Sequence, residues 1–129
     1  MVAHGTIAFD TLTTSDQVNT GTEKSLDTSY LFNGSAKSWC NYTTASTFVN
    51  NDSFNVGSLT DAGAGSCKCV FTNNFNNDDF STTGLASVGY GQLGLNAQET
   101  NLTWCISYDG SNSATDSGES TMTAHGDLA

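Results

Sequence analysis

Apolar side chains recur at alternate positions over short stretches of this chain, and clusters of Asn, Gly, Ser and Asp separate those stretches. Alternation at period two marks a half-buried strand, because successive side chains point to opposite faces. Ile7, Phe9 and Leu12 predict a first strand. Residues 13–29 are mostly Thr, Ser, Asp and Asn, with Gly21 among them, and predict an extended arm or long loop. Tyr30, Leu31 and Phe32 restart the apolar signal. Asn33-Gly34 then forms a turn dipeptide, since both residues tolerate positive φ.

Short strands follow. Trp39–Thr43 is one, and Thr47–Asn50 another. Phe54 and Val56 alternate with Asn55 and Gly57, with Leu59 beyond, and Asp61–Gly65 reads as a flexible turn. Cys67, Cys69 and Phe71 share one strand face, and Lys68 and Val70 the other. An Asn-rich loop spans Phe75–Asp79, and Phe80 opens a strand running toward Val88. Leu102, Trp104, Ile106 and Tyr108 share a face of a later strand. A polar loop covers 109–120, and Thr121–Ala124 is the last strand. Strands about ten residues apart predict an all-β sandwich or small barrel. No stretch has a helical period.

Composition agrees. Among 129 residues are 19 Thr, 16 Ser and 13 Asn, with neither Arg nor Pro. Ser, Thr, Asn and Gly are poor in helix interiors, whereas Thr and aromatics suit a pleated surface. With 36% hydrophobic and only 12% charged residues, the chain has too many core formers for a disordered polyelectrolyte. Thirteen acidic residues against three Lys give a formal charge of −10. That excludes the basic stripe a nucleic-acid binder needs. No apolar run exceeds three residues, so neither a membrane span nor a secretory signal core is expected. The length suits one core-bearing domain.

Candidate chemistry is sparse. The even count of Cys40, Cys67, Cys69 and Cys105 admits disulfides, but each lies inside an apolar segment, as a buried free thiol would. Cys67 and Cys69 point the same way and are poorly placed to bridge each other. The C-x-C spacing is a weak zinc signal, leaving metal as a third reading. His4 and His125 have no nucleophile or ligand set nearby, so neither a triad nor a zinc site is expected. The Asn73–Asp79 loop offers oxygen ligands without EF-hand spacing, and the 109–119 loop also fails that template; both read as solvated turns. Asn33, Asn41, Asn51 and Asn101 head Asn-x-Ser/Thr triplets, about the number chance gives in a chain this rich in Ser and Thr. Tyr42, Tyr90 and Tyr108 are the candidate surface-contact aromatics, with core packing as the competing reading. No catalytic residue, cofactor or metal is assigned.

The segment Asn33-Gly34-Ser35-Ala36-Lys37-Ser38-Trp39-Cys40-Asn41-Tyr42 resembles one common in small tail-fibre-like proteins of marine bacteriophages and cyanophages. The block Asp52–Asp61, then Gly63, Gly65 and a strand ending at Phe71-Thr72, is similar to the next part of that pattern. Phe80, the closing His125–Ala129 and the opening stretch Ile7–Leu12 extend the likeness over nearly the whole chain. It departs at Asn76 and Asn77, where that family often has Pro, and at Asn50-Asn51, where it often has Arg. The cysteines stand where that family has ordinary strand residues, which favours packing over redox or metal chemistry.

The resemblance implies a virion structural protein without catalytic residues. Residues 1–35 would form an N-terminal strand and arm, and 36–129 a β-sandwich, jelly-roll-like head in a homotrimer. Its partners would be other virion proteins and a host surface glycan or protein, with no nucleic acid and no membrane insertion. The leading expectation is a short tail fibre or tail-associated protein. A capsid decoration or head-fibre protein is the alternative within the virion, and a secreted carbohydrate-binding module the alternative outside it.

Overall fold

The computed structural model describes residues 11–13 and 25–129, with side chains from Thr28 onward. The chain divides into two compact units, Met1–Ser35 and Ala36–Ala129.

In the first unit β1 (Thr11–Thr13) pairs antiparallel with β2 (Ser25–Asp27), and Leu12 stands opposite Leu26. Residues 7–10 of the expected first strand, and 14–24 of the expected arm, lie outside the described residues. The rest of that expectation needs correction, because Thr28–Gly34 forms a helix, α1. Asp27 directly precedes it and Gly34 ends it, residue types favoured at a helix start and stop. Asn33-Gly34 closes this helix, and Ser35 N donates to Leu31 O at 3.2 Å.

The second unit is a sandwich of two four-stranded antiparallel sheets. Its strands are β3 (Ser38–Thr43), β4 (Val49–Phe54), β5 (Val56–Gly63), β6 (Ser66–Phe71), β7 (Ser81–Ala86), β8 (Leu93–Glu99), β9 (Leu102–Ser107) and β10 (Ser120–His125). One sheet has the order β4-β3-β10-β7 and the other β5-β6-β9-β8. The strand β8 was not evident in the sequence.

The inner faces follow from the register. Cys40 stands opposite Met122, and Tyr42 opposite Ser120, in the first sheet. Cys67 stands opposite Cys105, and Cys69 opposite Thr103, in the second. These side chains, with Phe71, Phe75, Phe80 and Ala124, form the buried core, and Phe48, Val56, Leu59 and Leu93 pack against it. Gly84 makes room for Leu93, since a Cβ there would fall 2.5 Å from Leu93 Cδ2.

One strand faces the opposite way from its hydrophobic pattern. In β9 the inward residues are Thr103, Cys105 and Ser107, and the apolar set Leu102, Trp104 and Ile106 lies on the outer face, half-buried. Lys68 lies opposite Trp104 there and holds its Nζ 4.2 Å from the ring centroid. Trp104 Nε1 donates to Ser66 Oγ at 2.6 Å, which satisfies the indole.

Candidate functional site

Loops gather at the two ends of the sandwich. At one end the chain enters, with Lys37 N donating to Ala124 O at 2.8 Å, and it leaves there too, with Ala129 N donating to Asn74 O at 2.9 Å. The far end is built by the loops after β3, β5, β7 and β9. Antiparallel strands in alternation require this division, because each strand reverses the chain.

Hydrogen bonds tie the far-end loops together. Thr44 N and Ala45 N donate to Ser117 O at 3.0 and 3.1 Å. Ser87 N donates to Ser117 Oγ at 3.0 Å, and Glu119 N donates to Ser87 Oγ at 2.9 Å. Gly65 N donates to Asp116 Oδ1 at 2.6 Å. Gly65 has φ +64°, and a Cβ on it would fall 2.6 Å from Thr115 O, so glycine is required there. Asp109 organises the tip of the longest loop. Its Oδ1 accepts from Ser111 N at 2.8 Å and Ser113 N at 2.9 Å. Hydrogen bonds from the backbone amides of Ser113, then Ser111, hold its carboxyl below the ordinary carboxylate value.

Two of the three candidate tyrosines belong to this end. Tyr90, in the loop after β7, is 84% exposed, and a Cβ on Gly110 would lie 3.3 Å from its ring. Tyr108 is half-buried, with its ring lying over Gly94. Its N donates to Gln92 O at 3.3 Å, so the two tyrosine-bearing loops are joined. Tyr42 is different. It is fully buried between the sheets and is not a surface-contact residue. Cys40 and Tyr42 are two apart in β3, so both point into the core.

Beside this rim the outer face of the first sheet carries a polar array that sequence patterning gave no reason to group. Asn51 Nδ2 donates to Asn41 Oδ1 at 2.8 Å, and Asn41 Nδ2 donates to Glu119 Oε1 at 2.7 Å. Glu119 also lines a shallow open depression of about 250 Å³ with Leu85, Ala86, Ser87 and Thr121.

The cysteines form the other cluster. All four are buried thiols. Cys40 is raised well above the ordinary thiol value by its hydrogen bond with Cys69 and by burial. For Cys69 the bond with Cys40 acts downward, but the bond with Cys67 and burial outweigh it and the net shift is upward. Burial pushes Cys105 up to about 12. Cys40, Cys69 and Cys105 are therefore unreactive in the closed fold, because the thiolate is the nucleophile and the metal ligand. Among the described residues no group of three or more His, Cys, Asp or Glu is arranged to hold a metal ion. No described helix is long and apolar enough to cross a membrane. His125 lies half-buried in β10, and His4 falls outside the described residues.

The chain matches no family model, no curated protein and no solved structure.

Proposed function

We propose that the protein is a bacteriophage virion structural component, a short homotrimeric tail fibre or tail-associated protein whose distal loops contact the host surface. Its role is structural rather than catalytic. The observation that carries this reading is the polarity of the sandwich. The loops after β3, β5, β7 and β9 gather at one end of this unit and are tied together by hydrogen bonds, and Tyr90 stands exposed among them. The sequence likeness of 33–72 to tail-fibre-like proteins points the same way. The interlocked loops suit a contact surface, since rigid loops lose little entropy on binding.

The trimer is argued from leftover apolar surface. Val70, Leu102, Trp104 and Ile106 share the outer face of the second sheet. Burial of this face by neighbouring copies would stabilise a domain whose own core is small. The head is jelly-roll-like only in having two four-stranded sheets joined by connections that cross between them. The hairpins β3-β4, β5-β6 and β8-β9 each stay within one sheet.

Immunogold labelling of intact particles tests the assignment. Label at the tail is the expected result. Label spread over the shell would instead establish a capsid decoration protein, and particles without label would remove the virion reading. Solution mass by light scattering tests the trimer, and a monomer at micromolar concentration overturns it.

A further inference from the structure

The sulfur atoms of Cys40 and Cys69 are 3.5 Å apart, and the two residues belong to facing sheets. Cys69 also lies 3.8 Å from Cys67, its neighbour on the same face of β6. Cys105 stands opposite Cys67 on β9. Four buried thiols so placed ask for a chemical reading of their own.

We propose that Cys40 and Cys69 are a latent disulfide pair, which a small-molecule disulfide oxidises to a covalent staple between the two sheets. The exchange runs in two steps. One protein thiolate attacks a sulfur of the small disulfide, forming a mixed disulfide and releasing one small thiol. The second protein thiolate then attacks the protein sulfur of that mixed disulfide and releases the other small thiol. Two S–H bonds are lost from the protein and one S–S bond is formed. The two electrons and two protons leave on the pair of small thiols.

Geometry selects this pair over the alternatives. Cys67 and Cys69 are two strand residues apart, roughly 6.6 Å between Cα atoms, at the upper limit for bridging, and their side chains run parallel. Cys67 and Cys105 stand directly opposite each other on neighbouring strands, a spacing that also permits a bridge, and they are the competing pair that peptide mapping separates. Cys40 and Cys69 instead approach head on. Closure requires their sulfurs to move from 3.5 Å to a bond of about 2.0 Å.

The same geometry sets the kinetics. Cys40 is 1% exposed and Cys69 fully buried, so no oxidant reaches them in the closed sandwich. Their hydrogen bonds and burial keep both protonated. Oxidation is therefore gated by opening of the sandwich, or happens before it closes. Once formed, the bond encloses all of β4 and β5 and restricts the unfolded chain, an effect that grows with loop length. The inference rests on the core alone and stands or falls apart from the virion reading.

The test uses the full chain. It is unfolded in urea, refolded with oxidised glutathione, blocked with an alkylating agent and compared with a reduced sample. A loss of about 2 Da before alkylation is expected. Trypsin and chymotrypsin together place the four cysteines on separate peptides, 40–42, 60–68, 69–71 and 105–108. The expected linkage joins 40–42 to 69–71. The oxidised form should melt higher by roughly 10 °C. For the folded protein in glutathione, moderate urea should speed oxidation severalfold over native buffer. A bridge mainly to 60–68 or 105–108, or an unchanged mass after refolding, overturns the proposal. The double variant Cys67→Ala/Cys105→Ala should still lose 2 Da, and the same loss in Cys40→Ala would also overturn it.

Discussion

The rings of Phe75 and Phe80 stack with their centroids 4.1 Å apart and their planes 19° from parallel. Phe71 meets both edge-on, at 4.9 Å from Phe75 and 5.7 Å from Phe80. This cluster closes the end of the sandwich where the chain enters, and the tail of the chain is laid over it. Phe75 bridges to Leu128, and Asn76 N donates to Asp127 O at 2.8 Å. Phe75→Ala should cost about 3–5 kcal/mol, because a buried ring leaves a cavity its neighbours fill only in part. Gly126→Ala should cost about 1–3 kcal/mol from overpacking, since its Cβ would fall 2.6 Å from Phe80 Cβ. Urea unfolding of both variants checks this, and a loss under 1 kcal/mol for Phe75→Ala would contradict the cluster's role.

Tyr42 supplies a prediction of opposite sign. Its hydroxyl is buried with no hydrogen-bond partner, among the four thiols. Burial, and then the neighbouring cysteines, raise its pKa well above the ordinary phenol value. Removing an unsatisfied buried hydroxyl while keeping the ring is neutral or favourable. Tyr42→Phe should leave stability unchanged or raise it by about 1 kcal/mol. A clear loss would show that the hydroxyl has a partner in solution.

Tyr42 also shows why the sequence was legible in some places and not in others. The face shared by Cys67, Cys69 and Phe71 was readable because apolar residues alternate with Lys68, and the register keeps that face inward. The same logic applied to Cys40 would have carried Tyr42 into the core, two residues along β3. In β9 the inward residues Thr103, Cys105 and Ser107 are all small, and Cys105 lies near Tyr42, which fits a core that already holds a large buried ring. Ser107 Oγ can face inward because it donates to Thr115 O at 2.6 Å. Hydrophobicity alone would have chosen the other face. The edge strand β8 was hidden because Gly94 and Asn96 interrupt its alternation and a bulge falls between Leu95 and Ala97. Helix α1 has only seven residues, two turns, too few to display a period.

Tyr90 separates binding from folding. At 84% exposure it contributes little to the core, so Tyr90→Ala should shift stability by less than about 0.5 kcal/mol. If the distal rim contacts the host, the same variant should weaken binding to isolated host envelopes roughly tenfold or more, as loss of an aromatic anchor does. Unchanged binding would move the contact away from this loop.

The outer face of β9 gives the corresponding test of assembly. Ile106 lies on it beside Trp104, which is braced by Lys68 and Ser66. If copies associate through this face as proposed, Ile106→Asp should yield monomers while leaving the far-ultraviolet β signal intact. Each chain carries a formal charge of −10, so association of the parent should strengthen with salt. A trimer that survives the substitution would place the interface elsewhere.

Alkaline pH should unfold the protein through its core. Cys105 has an ordinary thiol value of 9.0, which burial raises to about 12 in the folded state, with the neighbouring Cys40 adding to the shift. Below 9.0 both states hold the proton and the contribution to stability is complete. Above it the unfolded chain loses a proton that the folded chain keeps, so stability falls until the folded thiol titrates as well. The loss should run at about 1.4 kcal/mol per pH unit for each such group. Cys40, Cys69 and Tyr42 are shifted in the same direction and add to it. Cys105→Val keeps a small apolar side chain, so stability at neutral pH should change by less than about 1.5 kcal/mol. Between the ordinary thiol value and about pH 11, its urea midpoint, measured in reductant, should fall less steeply than the parent's. Parallel slopes for the two proteins would mean that Cys105 is not shielded from water as the sandwich packs it.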